Sequence, residues 1–238
     1  MAFLIILAGF LPSLLWLKFY LRKDLHPEPR RLLIETFFLA ILLAPLAITA
    51  QWLFSYFVED STLFFLWAAS VEEVVKFLAV FYLIIHNAEF NEPVDAMIYL
   101  ITAALGFAAI ENALMLYKNI DAGSQSCVLG LANLWCILGL RTIGATLVHA
   151  LASGLAGYFL ALAWFYRHHS KKLIVFGLVL ATVVHFVFNL TLLHLDPVNG
   201  LFSSSILLAG MLILISILFT KLKERSPSRL STVPDASQ

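Results

Sequence analysis

Two adjacent glutamates, Glu72 and Glu73, are followed by Lys76 in the middle of a long apolar run. Lys76 lies four and three residues after them, so a helix can place all three side chains on one face. A charge at the centre of a membrane helix costs roughly 2.5–3.5 kcal/mol on insertion scales, and it normally pairs, faces a cavity or has a function. Pairing with Lys76 explains one carboxylate, and the other is a candidate for chemistry.

Three further apolar segments carry polar residues of this kind. The sequence contains Glu111 and Asn112 in GFAAIENALM, His149 and Ser153 in LVHALASG, and His185 and Asn189 in VVHFVFNL. In a water-filled pocket, a buried glutamate can act as a general base on water, and a histidine or asparagine can hydrogen-bond the oxyanion of a tetrahedral intermediate. These residue types therefore suit hydrolysis.

A zinc site is the alternative to unaided acid–base chemistry. Two histidines and a glutamate can hold zinc and leave one position open for water, and the candidates are His149, His185 and Glu111. The residues leave both routes open, so the cofactor is either none or one Zn²⁺. We favour the metal-free route slightly, because Lys76 adds positive charge close to any cation.

The elements that position these residues are membrane helices. The chain has 238 residues, of which 61% are hydrophobic and 13% charged, and its mean hydropathy is +0.93. Continuous apolar runs long enough to cross a bilayer predict an all-α, polytopic transmembrane bundle. The seven predicted spans are 2–20, 32–57, 62–85, 94–117, 142–166, 173–193 and 201–220.

The spans form one predicted transmembrane domain, residues 1–220, with a catalytic core at about 62–193. The first apolar run lacks a basic region before it and a clear cleavage site, so we interpret it as a retained helix. Residues 128–141 are also apolar and form either a separate half-helix or the start of a long fifth span. The Ser/Pro/Arg-rich segment 221–238 is predicted to be a disordered cytoplasmic tail.

Basic residues set the predicted orientation. With seven spans, one side carries Lys18, Arg22, Lys23, Arg30, Arg31, Arg167, Lys171, Lys172, Lys221, Lys223, Arg225 and Arg229, and the opposite side carries Lys118. The positive-inside rule places the N-terminus outside and the C-terminus in the cytoplasm. At 1.5 Å per residue, Glu72, Glu111, His149 and His185 then lie about 9–15 Å below the outer face. Four helices are thus expected to bring these side chains to one level.

Other features are less informative. The formal net charge is zero, so nothing points to nucleic acid as a partner. Cys127 and Cys136 match no metal or redox spacing and are interpreted as packing residues. Ser153-Gly154 is similar to the rhomboid serine motif, but Leu151 stands where that motif has glycine, which argues against a serine nucleophile.

The ordered set of motifs resembles the PrsW family of bacterial intramembrane proteases, distantly related to the CAAX-prenyl protease and bacteriocin-processing group. The resemblance is carried by Glu72-Glu73-x-x-Lys76, EPVDAMIYLITAALGFAAIEN, His149 and His185-x-x-x-Asn189, and covers about residues 67–190. It implies a multi-pass protease of the bacterial plasma (inner) membrane that cleaves a membrane-spanning protein within the lipid bilayer. In the best-known members the substrate is an anti-sigma factor of a stress response.

The resemblance also implies residue roles. Glu72 and Glu73 correspond to an essential pair, Glu111, His149 and His185 complete the site, and Lys76, Asn112 and Asn189 support it. Glu72 and Glu73 are about 100° apart around a helix, so both cannot face one atom. The resemblance favours Glu72 as the base, with Glu73 paired to Lys76.

Two other function classes use similar residues. Intramembrane glutamate and histidine chains also serve transporters and proton relays, which would need a polar path to both faces. A non-catalytic sensor or scaffold would keep the cluster for packing alone. The inner halves of the predicted helices are nearly free of ionisable groups, which favours the protease.

The topology can be tested by cysteine-accessibility labelling. We expect residues 118–127 to be extracytoplasmic and residues 167–172 to be cytoplasmic, because the basic residues lie on one side. Single cysteines introduced at the two loops should therefore react with an impermeant reagent from opposite sides of the membrane. Labelling from the same side would reject the seven-span arrangement.

Overall fold

The computed structural model describes residues 2–24, 26–121 and 133–225. Within these ranges the regular secondary structure is helical and contains no strand, which confirms the predicted all-α fold class. The helices are α1 Ala2–Leu21, α2 Arg30–Ser55, α3 Ser61–Leu83, α4 Asp95–Asp121, α5 Asn133–Ile143, α6 Ala145–Phe165, α7 Ser170–His194 and α8 Pro197–Glu224, with a short 3-10 helix at Arg167–His169. Each of the seven predicted spans coincides with one of them.

Two details concern the ends of the predicted segments. Of the two alternatives for 128–141, the described residues favour a separate short helix, α5, which ends at Ile143, one residue before Gly144, and α6 begins at Ala145. A Cβ atom at Gly144 would lie 2.7 Å from the Leu140 carbonyl oxygen, so the break needs glycine. Helix α8 continues to Glu224, past the predicted start of the tail, and residues 226–238 and Cys127 lie outside the described residues.

Among the described residues, five helical segments are long and apolar enough to cross a membrane: Arg30–Ser55, Asp95–Lys118, Leu138–Phe165, Arg167–His194 and Pro197–Glu224. The apolar part of α1, Leu7–Leu21, is shorter. Helix α3 has 23 residues but carries three ionisable side chains at its centre, which lowers its apolar character. The count of seven spans and the orientation therefore stay predictions.

Helices α4 and α6 form the centre of the bundle. In the apolar stretch of each helix, 83% of the residues of α4 and 78% of those of α6 are buried, against 22% for α7 and for α8. Helix α4 packs against α1, α2 and α6, and α6 packs against α4, α7 and α8. Helix α3 lies between α2 and α7, and its polar face reaches the central helices. The ionisable residues of α3 thus point into the bundle rather than towards lipid.

Glycines allow the central helices to approach closely. A Cβ atom at Gly157 of α6 would lie 2.7 Å from Met97 Cα of α4. At Gly106 of α4, an added Cβ atom would overlap the carbonyl group of Phe37 in α2. In lipid the hydrophobic effect does not drive helices together, and van der Waals contact between closely packed helices stabilises the bundle instead. Small residues at the interface allow this contact. The backbone contacts of α4 with α2 and α6 therefore depend on these two positions.

Gly157→Ala tests the close approach of α4 and α6. Its methyl group meets backbone atoms, which cannot move without separating the helices, so we expect a loss of about 1–3 kcal/mol of stability. Gly210→Ala is the matched control, because a Cβ atom there meets nothing within 4 Å. Thermal unfolding in detergent should show a lower midpoint for Gly157→Ala only. Equal midpoints for the two variants would contradict the packing argument.

Candidate active site

The core of the site is a buried ion pair within α3. Lys76 Nζ donates to Glu73 Oε1 at 2.7 Å, and the two residues are 0% and 2% exposed. Ser153 of α6 donates its hydroxyl to Glu73 Oε2 at 2.7 Å, and His185 Nδ1 of α7 lies 3.0 Å from Glu73 Oε1. Both oxygens of Glu73 are thus occupied by donors from three helices. This glutamate ties α3 to α6 and α7.

Glu72, the neighbouring glutamate, has a different environment. Its Oε1 accepts a hydrogen bond from Gln51 Nε2 of α2 at 3.0 Å. Its Oε2 is buried and has no hydrogen-bond partner among the described residues. The nearest charged or basic atoms to Oε2 are Lys76 Nζ at 3.6 Å, His149 Nδ1 at 3.8 Å and His185 Nε2 at 3.8 Å. A buried carboxylate oxygen without a donor is costly and marks a place for a ligand.

The two histidines have their outer ring nitrogens held by carboxylates. His149 Nε2 lies 2.7 Å from Glu111 Oε2, while its Nδ1 lies 2.7 Å from Lys76 Nζ. The ammonium group can only donate, so Nδ1 is the acceptor and Nε2 carries the proton towards Glu111. The ionised carboxylate of Glu73 can only accept, so His185 Nδ1 donates to it. In the neutral ring, the lone pair of Nε2 then faces Glu72. Each ring therefore directs a lone pair to the same small region.

Glu111 is held on its second oxygen by an arginine that the sequence analysis did not select. Arg141 Nη2 of α5 donates to Glu111 Oε1 at 2.8 Å, and Arg141 Nε donates to Asn112 Oδ1 at 2.5 Å. Asn112 in turn donates to Thr146 Oγ1 of α6 at 2.9 Å. This chain of contacts anchors Glu111 behind His149.

The structure brings together Glu72, Glu73, Lys76, Glu111, Asn112, His149 and His185. Asn189 is half-buried one turn further along α7 and is not among the hydrogen-bond partners described for these side chains. The sequence analysis missed Gln51 and Arg141. The available signal was the same as for Lys76, a strongly polar side chain within an apolar helix. Ser153 is wholly buried and serves Glu73, an arrangement unlike that of a serine nucleophile.

The charges of this cluster do not cancel. Its described members include three carboxylates, Glu72, Glu73 and Glu111, and two basic side chains, Lys76 and Arg141. With both histidines neutral, the cluster carries one excess negative charge in an apolar bundle. Glu72 and Glu111 are only partly exposed, so their charge is less well solvated than on the protein surface and is unfavourable without a counter-ion. The excess favours a cation or a proton near Glu72.

The donor set fits a divalent metal. Glu72, His149 and His185 each offer one ligand atom, and these atoms all lie within 4.8 Å of one another. Tetrahedral zinc ligands at about 2.1 Å from the ion lie about 3.4 Å apart, and the distances of 3.8 Å from Glu72 Oε2 to both ring nitrogens are slightly wider. Glu111 was the expected carboxylate ligand, but it contacts the far side of the His149 ring.

An open cleft of about 450 Å³ leads to these residues from between α2, α3 and α4. Its walls contain Ala44, Ile48, Gln51, Glu72, Phe107, Ile110, Glu111, Leu114, Met115 and Lys118. Two of the three carboxylates therefore face a space large enough for a segment of another molecule. The walls are otherwise mostly apolar, as expected of a binding site that excludes water.

Comparison with known proteins shows which family the chain is similar to. The family model described as PrsW family intramembrane metalloprotease matches residues 28–219. The chain is 29% identical over 217 residues to Protease PrsW of Oceanobacillus iheyensis, covering 90% of this chain and 92% of that protein. It is 27% identical over 193 residues to Protease PrsW of Bacillus subtilis, covering 77% and 80%. Protease PrsW of Geobacillus kaustophilus is 32% identical over 121 residues, covering 49% and 54%. No solved structure is significantly similar to the chain.

The ion pair of α3 can be tested through stability. Glu73→Gln leaves the Lys76 ammonium buried without its carboxylate, so we expect a loss of about 3–5 kcal/mol. Ser153→Ala removes one donor and should cost less, about 1.5–3 kcal/mol. Ser205→Ala is the matched control, because its exposed hydroxyl bonds only to the Leu201 carbonyl of its own helix. The measurement is thermal unfolding in detergent, and an unchanged midpoint for Glu73→Gln would show that the pair is not structural.

Proposed function

The chain belongs to the PrsW family of intramembrane metalloproteases, and from this we propose that it hydrolyses a peptide bond of a membrane-embedded protein, near the predicted outer face, at Glu72. One observation carries the assignment. Glu72 Oε2 is a buried carboxylate oxygen without a hydrogen-bond donor, 3.8 Å from a ring nitrogen of each histidine, on the wall of an open cleft. Glu73, the neighbouring glutamate, has donors on both of its oxygens.

We further propose that the reaction is metal-dependent, with Glu72, His149 and His185 as the zinc ligands. The unpartnered oxygen, the excess negative charge and the two carboxylate-held histidines all support this assignment. Carboxylates bonded to the outer nitrogens of metal-binding histidines fix the ring orientation and raise ligand basicity. Bound zinc would polarise the substrate carbonyl and make water a better nucleophile at neutral pH.

The remaining residues position these ligands. Glu73 holds the proton of His185 at Nδ1, and Glu111 holds that of His149 at Nε2, so each ring presents its other nitrogen to the site. Gln51 orients the Glu72 carboxylate by donating to Oε1. Arg141 fixes Glu111, and the apolar cleft walls limit the entry of bulk water. All of these groups are in place before substrate arrives, which reduces the cost of reorganisation.

The position of Lys76 supports the metal-free route, which the sequence favoured. Its Nζ lies 2.7 Å from His149 Nδ1, so a metal ion at this site competes with the ammonium for one lone pair. Lys76 has a second acceptor in Glu73 at the same distance and can give up the histidine. The ammonium at 3.6 Å from Glu72 Oε2 does not satisfy that oxygen, and this tips our proposal towards the metal.

The substrate follows from the family resemblance rather than from the site. The curated relatives are named as proteases, and an anti-sigma factor of a stress response is the candidate substrate that the resemblance implies. A transporter or proton relay was the alternative, and no contact in the described residues favours it over the family assignment. The localisation we propose is the bacterial plasma membrane.

Glu72→Gln tests the site and the metal together. The substitution keeps the shape of the side chain and removes its charge, so we expect cleavage of single-span membrane substrates, an anti-sigma factor among them, to fall at least about 100-fold. If Glu72 is a ligand, bound zinc should fall from about one per chain in parallel, and a chelator should inhibit the wild type until zinc is restored.

Two variants serve as controls for this test. Glu35→Gln changes an exposed glutamate that pairs with Arg31, and it should leave cleavage and zinc unchanged. Ser153→Ala should keep most of the cleavage, because Glu73 retains Lys76 and His185. Normal cleavage by Glu72→Gln with a dead Ser153→Ala would show a serine enzyme. If the wild type keeps full activity in chelator and contains no zinc, the metal proposal is wrong and the reaction proceeds by the metal-free route.

A further inference from the structure

The cleft that leads to Glu72 has two long walls. One face of α4 supplies Phe107, Ile110, Glu111, Leu114, Met115 and Lys118, which recur at helical spacing, and one face of α2 supplies Ala44, Ile48 and Gln51. Residues at these intervals lie above one another on a helix. The cleft is therefore a groove along the two helices, with Glu72 of α3 on its wall.

The length of the groove limits what it can hold. From Phe107 to Lys118 the α4 wall rises over eleven residues, or about 16 Å. An extended peptide rises about 3.3 Å per residue, so about five residues fit. A helical segment would keep its carbonyl groups in internal hydrogen bonds, out of reach of hydrolytic groups. The groove suits a short stretch of unwound apolar chain.

The charges along the groove are asymmetric. Glu72 and Glu111 both lie within 4 Å of the His149 ring, at 3.8 Å and 2.7 Å. Lys118 lies two turns beyond Glu111 along α4, about 10 Å away. Lys118 is exposed, and it is the basic residue that the charge pattern assigns to the outer face. A peptide with its scissile bond at Glu72 would pass Lys118 about three residues later. An acidic residue at that point would be attracted, and a basic one repelled.

Building on the proposed function, we propose that the groove between α2 and α4 is the substrate-binding site and selects an apolar segment with an acidic residue about three positions from the cleaved bond. Continuity with Glu72 and Glu111 favours a peptide over a lipid as the occupant, because these carboxylates repel an anionic headgroup and are the groups that hydrolysis needs. Lys118 is the specificity-determining residue of this site.

Photocrosslinking in phosphatidylcholine vesicles tests the proposal by binding instead of cleavage. A photoreactive amino acid replaces Leu114, which lines the groove and is 40% exposed. The probes are two synthetic single-span leucine–alanine peptides that carry either aspartate or lysine at both ends of the apolar segment. We expect about five-fold more capture of the aspartate peptide, the scale of an exposed ion pair, and Lys118→Glu should reverse the preference.

Matched controls use another surface, formed by α2 and α3. The photoreactive group at Phe81, which is 45% exposed and lines a depression without charged residues among its lining, should capture both peptides equally. Lys171→Glu, on the surface of α7, should leave capture at position 114 unchanged. Equal capture of both peptides at position 114, a preference that survives Lys118→Glu, or capture of lipid in place of peptide would overturn the inference. Selective capture without cleavage of any substrate would instead contradict the proposed function and leave the groove assignment supported.

Discussion

The arrangement of the whole site depends on one buried ammonium group. Lys76 is fully buried at the centre of an apolar bundle and donates to Glu73 and to His149 at 2.7 Å each. An unpaired charge at this depth would be strongly unfavourable, so the position of α3 depends on an acceptor for Lys76, and the carboxylate of Glu73 provides it. Glu73 in turn needs Ser153 and His185 to saturate its oxygens. Helices α3, α6 and α7 are thereby held in one register.

The same interaction separates the roles of two adjacent glutamates. A helical step of about 100° turns Glu73 into the bundle and Glu72 towards the cleft. Glu73 is saturated by donors, whereas Glu72 keeps one oxygen without a partner among the described residues. Identical side chains thus have different environments, one saturated by donors and one open to the cleft, through position alone. Helix α2 also acts on Glu72, because Gln51 donates to its Oε1 and so orients the carboxylate.

Close packing of the helix backbones positions His149 and Glu111. Gly157 lets α6 approach α4 until an added Cβ atom would lie 2.7 Å from Met97 Cα. This close approach puts His149 of α6 within 2.7 Å of Glu111 of α4, two to three turns away from the glycine. Arg141 and Asn112 then lock Glu111 from the side of α5. Close packing and polar contacts therefore act together, and neither alone would place the second histidine.

The sequence by itself determined the helical class, the seven apolar segments and the polar residues within them, because the cost of burying charge in an apolar helix makes such residues conspicuous. Spacing along one helix also predicted that Glu73 can pair with Lys76. Only the tertiary structure decided which carboxylate joins the histidines: Glu111 reaches the outer face of His149, and Glu72 lies between the two rings. The partners of Gln51 and Arg141, which lie on other helices, likewise depend on the tertiary structure. Contacts between helices depend on rotation about each helix axis and on the break at Gly144, and hydropathy along one chain does not contain that information.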